Sequence, residues 1–198
     1  MTIAELYNQL IDKDFQDHNT GNLFFPAYMY MYDATKEYEI EKEILDIKNR
    51  LHRPNNYLDV LIIDIFEEFI TFLKQEKFGK EASKFDYYVK YELINKEAIE
   101  KALSRDVYDQ KKFLGYLDKK ITDHLQNSSN YEVAYVLLKG FGNAFPYIRA
   151  SKFMSNFESF IKGYKLIMFY PGEAKNYYSL FGLLKDENLY RAIKLINE

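Results

Sequence analysis

The residues best suited to chemistry fall at the ends of two apolar runs. Gly140-Phe141-Gly142 separates one such run from a helical pattern, a position where glycine backbones let a phosphate approach helix amides. It is only half of a fingerprint: the third glycine is missing, Pro146 removes an amide donor, and no Gly-Lys-Ser/Thr follows. A tight turn, for which glycine supplies positive φ, is the stronger reading. Leu61-Ile62-Ile63-Asp64 is an apolar strand closing on a carboxylate, the arrangement that holds magnesium beside a phosphate loop in nucleotide hydrolases. Without that loop, Asp64 is expected to cap the next helix by accepting its amides. A nucleotide site would have to rest on Asp64, Gly140 and Gly142.

The other candidates are dispersed. His18, His52 and His124 form no i, i+4 pair and have no acidic ligand pattern nearby, so capping or surface roles are preferred over zinc. Ser179, in Tyr178-Ser179-Leu180-Phe181-Gly182, lacks the Gly-x-Ser-x-Gly elbow that would anchor a hydrolytic triad. Glu67 and Glu68 are adjacent and diverge on a helix. The chain has no cysteine, which excludes disulfides, thiolate ligands and a Cys nucleophile together. No catalytic, metal or cofactor set is expected.

The elements that must position these residues alternate in type. An amphipathic helix (Ile3, Leu6, Tyr7, Leu10) is followed by a turn at Asn19-Thr20-Gly21-Asn22 and an apolar run from Leu23 to Tyr32, in which Pro26 places the strand start after itself. Ile40, Ile44, Ile47 and Leu51 make one helical stripe that ends before Arg53-Pro54. Tyr57 to Asp64 reads as a strand running into a helix with Phe66, Phe69, Ile70 and Leu73 on one side. Three helices are expected over 80–127, then a strand at Val133 to Leu138, and a helix from about Pro146 with Phe153, Phe157, Phe160 and Ile161 inward. A strand from Tyr164 to Tyr170 should end at Pro171-Gly172, and Glu187 to Ile196 should begin helical and finish as a short strand.

This order predicts a single α/β domain over 1–198 with a helical insertion at about 80–127. Its sheet should be mostly parallel, of four to five strands flanked by helices, and akin to a P-loop or RecA-like fold that has lost its phosphate-binding motif. Ligands in such sheets sit at the carboxyl ends of strands, here near Asp64, the Gly140 turn and Tyr170-Pro171-Gly172.

Composition narrows the class. At 47% apolar and 29% charged residues the chain is globular in type, and its formal net charge of −3 provides no broad positive field, which argues against direct nucleic-acid binding. The N-terminus lacks a signal-peptide pattern, and no stretch is long enough to span a bilayer. With 19 Tyr and 16 Phe but no Trp, aromatic side chains are abundant enough to serve both a core and an interface.

Two stretches resemble a known family. Phe145-Pro146-Tyr147-Ile148-Arg149-Ala150-Ser151 after Gly140-Phe141-Gly142 is similar to a "Gly-x-Gly, x-x-Pro-Leu-Leu-Arg" segment of BrxB proteins of the BREX phage-exclusion system. Phe169-Tyr170-Pro171-Gly172, Ser179-Leu180-Phe181-Gly182 and Leu184 to Ala192 resemble that family's carboxyl-terminal signature, with Glu187 and Leu189 departing from it. The resemblance is dense over 133–196 and weaker over 1–75. It implies a cytoplasmic, non-catalytic accessory protein of a defence operon, acting as an adaptor that binds the phosphatase-like PglZ and other components of the system. No catalytic set is carried over. A degenerate nucleotide-binding domain with a regulatory role is the alternative. Arg149, Lys185, Asp186 and Arg191, in the two family-like stretches, are expected to make polar or partner contacts around the carboxyl ends of the strands.

Overall fold

A capped amphipathic helix opens the computed structural model, which describes residues 2–16, 27–52, 58–127, 133–174, 177–180, 183–188 and 194–195, as backbone alone at 133, 174, 177–178, 184–188 and 194–195. Thr2 and Glu5 exchange side-chain and backbone hydrogen bonds at the start of α1 (Ile3–Ile11), satisfying two amides that a helix end leaves open. Its Leu6 and Leu10 are fully buried. A short α2 (Lys13–Gln16) follows, and the turn at 19–22 and His18 lie outside the described residues.

The sheet is built from β1 (Ala27–Tyr32), β2 (Leu58–Asp64), β3 (Val133–Lys139) and β4 (Lys165–Ala174), with a two-residue β7 (Lys194–Leu195) at the far edge. The spatial order is β2-β3-β4-β1-β7, every neighbouring pair parallel. Such pairs require crossovers, and the crossovers supply the helices. Strand β1 is described from Ala27 onward, and Pro26, after which the strand is expected to start, lies outside the described residues.

Alternation along each strand sends successive side chains to opposite faces. Tyr28, Tyr30, Val60, Tyr135, Leu137, Ile167 and Phe169 meet α1 and α3 (Glu37–Leu51), whose Ile40, Ile44, Ile47 and Leu51 form the stripe read from the sequence. Met29, Ile63, Val136, Leu138, Leu166, Met168 and Tyr170 face the remaining helices. These are α4 (Ile65–Gln75), α5 (Lys84–Glu92), α6 (Lys96–Ser104), α7 (Lys112–Asn127), α8 (Phe141–Ala144) and α9 (Ala150–Phe157). Three helices fill 80–127 as expected, but α6 runs into a π-helical turn at Arg105–Asp109 that no sequence pattern signalled. Both faces of the sheet are covered, which is why its central strands are mostly apolar.

Three expectations are corrected. The helix expected from about Pro146 begins at Ala150, because Arg149 before it is extended (φ −101°, ψ 135°), and Phe160 falls in a 3-10 turn and is only half-buried. Strand β4 does not stop at Pro171-Gly172 but continues to Ala174, where it pairs antiparallel with β5 (Tyr177–Leu180). Gly172 permits this, since a Cβ there would collide with the Ser179 carbonyl. Glu187 and Asn188 belong to β6 (Leu184–Asn188), the antiparallel partner of β5, rather than to a helix, although the short strand at the end is present.

Candidate functional site

At the carboxyl ends of β2 and β3, Asp64 Oδ1 accepts the amides of Phe66 (3.0 Å) and Glu67 (3.1 Å), making it the N-cap of α4. Gly140, directly after β3, takes φ +83°, and a Cβ on it would collide with Asp64 Oδ1 and lie 2.9 Å from its Cγ. Asp64 therefore occupies the space over the Gly140 backbone. Beside it, Lys139 Nζ contacts Glu41 Oε1 (2.5 Å) and Asp64 Oδ2 (3.0 Å). Burial alone would lower the Lys139 pKa, but the two carboxylates hold it above the ordinary lysine value. Tyr32, at the end of β1, donates to Glu37 Oε2 at 2.7 Å, and burial followed by that carboxylate keeps its phenol protonated well above the usual range. Gly142, half-buried within α8, faces no comparable cluster in the described contacts.

Arg149 lies elsewhere. It is the N-cap of α9; its amide donates to the Tyr108 hydroxyl (3.0 Å) on the π-helical turn, and its guanidinium stands 5.4 Å over the Phe145 ring. Together with Lys101 and Ser104 of α6 and Lys152 of α9 it lines a cleft of about 610 Å³. Lys152 Nζ lies 4.4 Å over the Tyr108 ring and 3.5 Å from Ser104 Oγ. Tyr147 closes the other side by donating to Glu92 Oε1 (2.5 Å); burial, then this carboxylate, pushes its pKa up to about 12. The segment Phe145–Arg149 that carries the family-like motif is thus set against the helices of 80–127.

Two further clusters come from residues that are distant in sequence. Asp106 on the π-helical turn is buried, accepting from Lys84 Nζ (2.9 Å) and the Tyr88 hydroxyl (2.9 Å), while Lys84 also reaches Glu76. Burial opposes the charge on Lys84, yet its two carboxylate partners raise its pKa. Asp59, also buried, meets His124 Nε2 at 2.8 Å and His52 Nε2 at 3.9 Å, and His52 Nε2 accepts the Val60 amide. Their sequence separation left no signal for this grouping. Among the described residues, no group of three His, Cys, Asp or Glu side chains is arranged to hold a metal ion, and no helix is long and apolar enough to cross a membrane.

Of the sequence-derived candidates, the structure brings Asp64 and Gly140 together and sets Arg149 in the cleft. The side chains of Lys185 and Asp186 and all of Arg191 lie outside the described residues. Lys101, Ser104, Arg105, Tyr108 and Lys152 were not legible as a group; the only sequence signal near them was the Pro146-to-Arg149 motif, which faces them.

A family model described as "BREX protein BrxB" matches residues 61–195. The chain is similar to a BREX protein BrxB of Bacillus cereus (strain H3081.97), 24% identical over 99% of this chain and 96% of the relative. It is also similar to a BREX protein BrxB of Escherichia coli O9:H4 (strain HS), 23% identical over 98% of this chain and 90% of that relative. No solved structure matches the chain significantly.

Proposed function

The chain belongs to the BrxB family of BREX proteins, and from that premise we propose that it is a non-catalytic adaptor of a phage-defence assembly that acts by binding a PglZ-like protein of the system. The observation that carries this reading is a set of large apolar side chains left outside the core. Val89 on α5 is exposed, and Leu93 and Ile94 in the turn that follows the helix are 96% and 74% exposed. Apolar anchors of this kind gain most when a partner removes them from water.

The chemistry at the strand ends supports the same reading. Asp64, the carboxylate that would hold magnesium in a nucleotide site, is engaged by two amides and by Lys139, and it fills the space over Gly140 that a phosphate would need. The alternative of a degenerate nucleotide site on Asp64, Gly140 and Gly142 gains nothing from this corner.

Co-expression with the PglZ-like protein of the same operon, followed by size exclusion, tests the proposal. Co-elution at micromolar concentration is expected, and Leu93→Asp with Ile94→Asp should weaken it by at least about tenfold. Separate elution, together with unimpaired phage defence when this chain is deleted, removes the adaptor reading.

A further inference from the structure

The buried group at Asp106 borders a hollow of about 420 Å³, a size within the range of small-ligand sites. It lies where the chain after α4, the start of α5, the π-helical turn and the start of α7 meet. Lys77, Lys84, Arg105 and Lys112 line it, and Glu76 and Asp106 are the carboxylates among its lining residues. Four cations against two carboxylates leave an excess of two positive charges, in a chain whose formal net charge is −3. Both carboxylates are taken by Lys84. Among the described residues, no carboxylate stands within ion-pair distance of Lys77, Arg105 or Lys112.

The buried lysine has a donor to spare. Burial opposes the charge on Lys84, but Glu76 and Asp106 hold its pKa above the ordinary lysine value, so it borders the hollow as an ammonium. Two of its three N–H groups serve Glu76 Oε2 and Asp106 Oδ2, and the third meets no acceptor among the described residues. An unmade hydrogen bond at a buried donor is costly, and a ligand oxygen would remove that cost. The walls are fixed by the backbone. The Lys84 amide donates to the Glu76 carbonyl (2.7 Å) and the Glu81 amide to the Phe78 carbonyl (3.1 Å), which pins the loop carrying Lys77. On the turn, the Gln110 amide donates to the Arg105 carbonyl at 3.0 Å. Lys112 opens the sixteen-residue α7, and among the described residues no side chain caps the first amides of that helix, so the positive end of its dipole adds to the field.

We propose that this hollow binds a phosphate dianion, free or esterified to a small molecule, its oxygens accepting from the Arg105 guanidinium, the Lys77 and Lys112 ammonium groups and the spare N–H of Lys84. A dianion answers the excess of two charges, which a single carboxylate does not, and an Arg fork with Lys point charges suits phosphate oxygens. Phe78 lines the same hollow at 37% exposure, its ring 4.5 Å from that of Tyr87, and offers an apolar surface to the organic part of an ester. Inorganic phosphate and a phosphate monoester share the chemistry of the site, and no bond is made or broken there. Lys77, Arg105 and Lys112 are exposed, so the attraction is sensitive to salt. The inference does not rest on the adaptor reading, which is carried by Val89, Leu93 and Ile94 and is tested by co-elution.

Calorimetric titration of the full chain with inorganic phosphate and, separately, with AMP tests it. Saturable one-site binding is expected for at least one probe, weakening at least about threefold between low and physiological salt. Arg105→Ala with Lys112→Ala should weaken it at least about tenfold, and Lys42→Ala, on the exposed side of α3, should leave it unchanged. Equal affinities point to the phosphate group alone. Tighter AMP that Phe78→Ala returns to the level of phosphate points to an ester whose organic part lies on that ring; either result supports the site. Thermal melts coincident with wild type show that the variants are folded, and Lys77→Ala, expected to weaken binding at least about threefold, serves if the double variant melts early. No saturable heat with either probe at millimolar concentration overturns the proposal, even if a phosphopeptide or an oligonucleotide binds. So does an affinity that the substitutions leave unchanged.

Discussion

The corner at Asp64 and Gly140 and the cleft at Arg149 are joined by one short stretch of chain, yet their electrostatics are opposite. In the corner the charges are answered within the fold: Lys139 by Glu41 and Asp64, Asp64 by the α4 amides, Glu37 by the Tyr32 hydroxyl. In the cleft, Lys152 and Arg149 stand over the Tyr108 and Phe145 rings, and among the described residues no carboxylate lies within ion-pair distance of Lys101, Arg105 or Lys152. The carboxyl ends of parallel strands are where ligands are expected, but here that position is closed by the protein's own side chains. The open position lies one turn further along the chain, where a helical insertion meets the Phe145–Arg149 segment. Whether charges are already paired decides more about a site than its place in the topology.

Substitutions can break this contrast, and the largest effect is expected at Asp106. Asp106→Ala removes a buried acceptor from Lys84 and Tyr88 and should destabilise by about 3 kcal/mol in urea unfolding, the low end for a broken buried pair because Glu76 still meets Lys84. It should also disturb the cleft at Arg149, since the π-helical turn carries Arg105 and Tyr108 into its lining. A loss below about 1 kcal/mol would mean that the cleft does not depend on that buried support.

Gly140→Ala comes next, at about 2 kcal/mol, from the left-handed backbone and the collision with Asp64. A double-mutant cycle with Asp64→Ala should recover part of that loss, because the collision partner is then gone. Purely additive losses would show that the corner is not closed by contact. The smallest effect is expected for Asp64→Asn, which keeps the capping oxygen but loses the charge facing Lys139, costing about 1 kcal/mol by the same measurement.

Much of the fold was legible because it rests on local periodicity. The stripe Ile40, Ile44, Ile47, Leu51 and the run Leu58 to Asp64 each carry their own signal, and Asp64 before Ile65-Phe66-Glu67 carries the cap. The misread places are those where a distant segment decides. Strand β4 passes Pro171 because β5 approaches the bare Gly172 backbone, and Glu187 is in a strand because β5 offers it a ladder, against its own helical preference. Within the candidate site, Arg149 was visible through its motif. Its neighbours Lys101, Ser104 and Tyr108 were not, because they arrive from helices whose sequence says only that one face is apolar.

By itself, then, the sequence determined the alternation of strands and helices, the apolar faces, the Asp64 cap and the family, since each is written in neighbouring residues or in a contiguous motif. Tertiary structure alone decided which charges meet. Lys84 with Asp106, Lys139 with Glu41, and Asp59 with His52 and His124 are pairings across separate elements. So is the convergence of Lys101, Arg105, Arg149 and Lys152. Hydrophobic periodicity records that a face is buried without recording against what, whereas a charge acts over a few ångströms and depends on where the folded chain sets it.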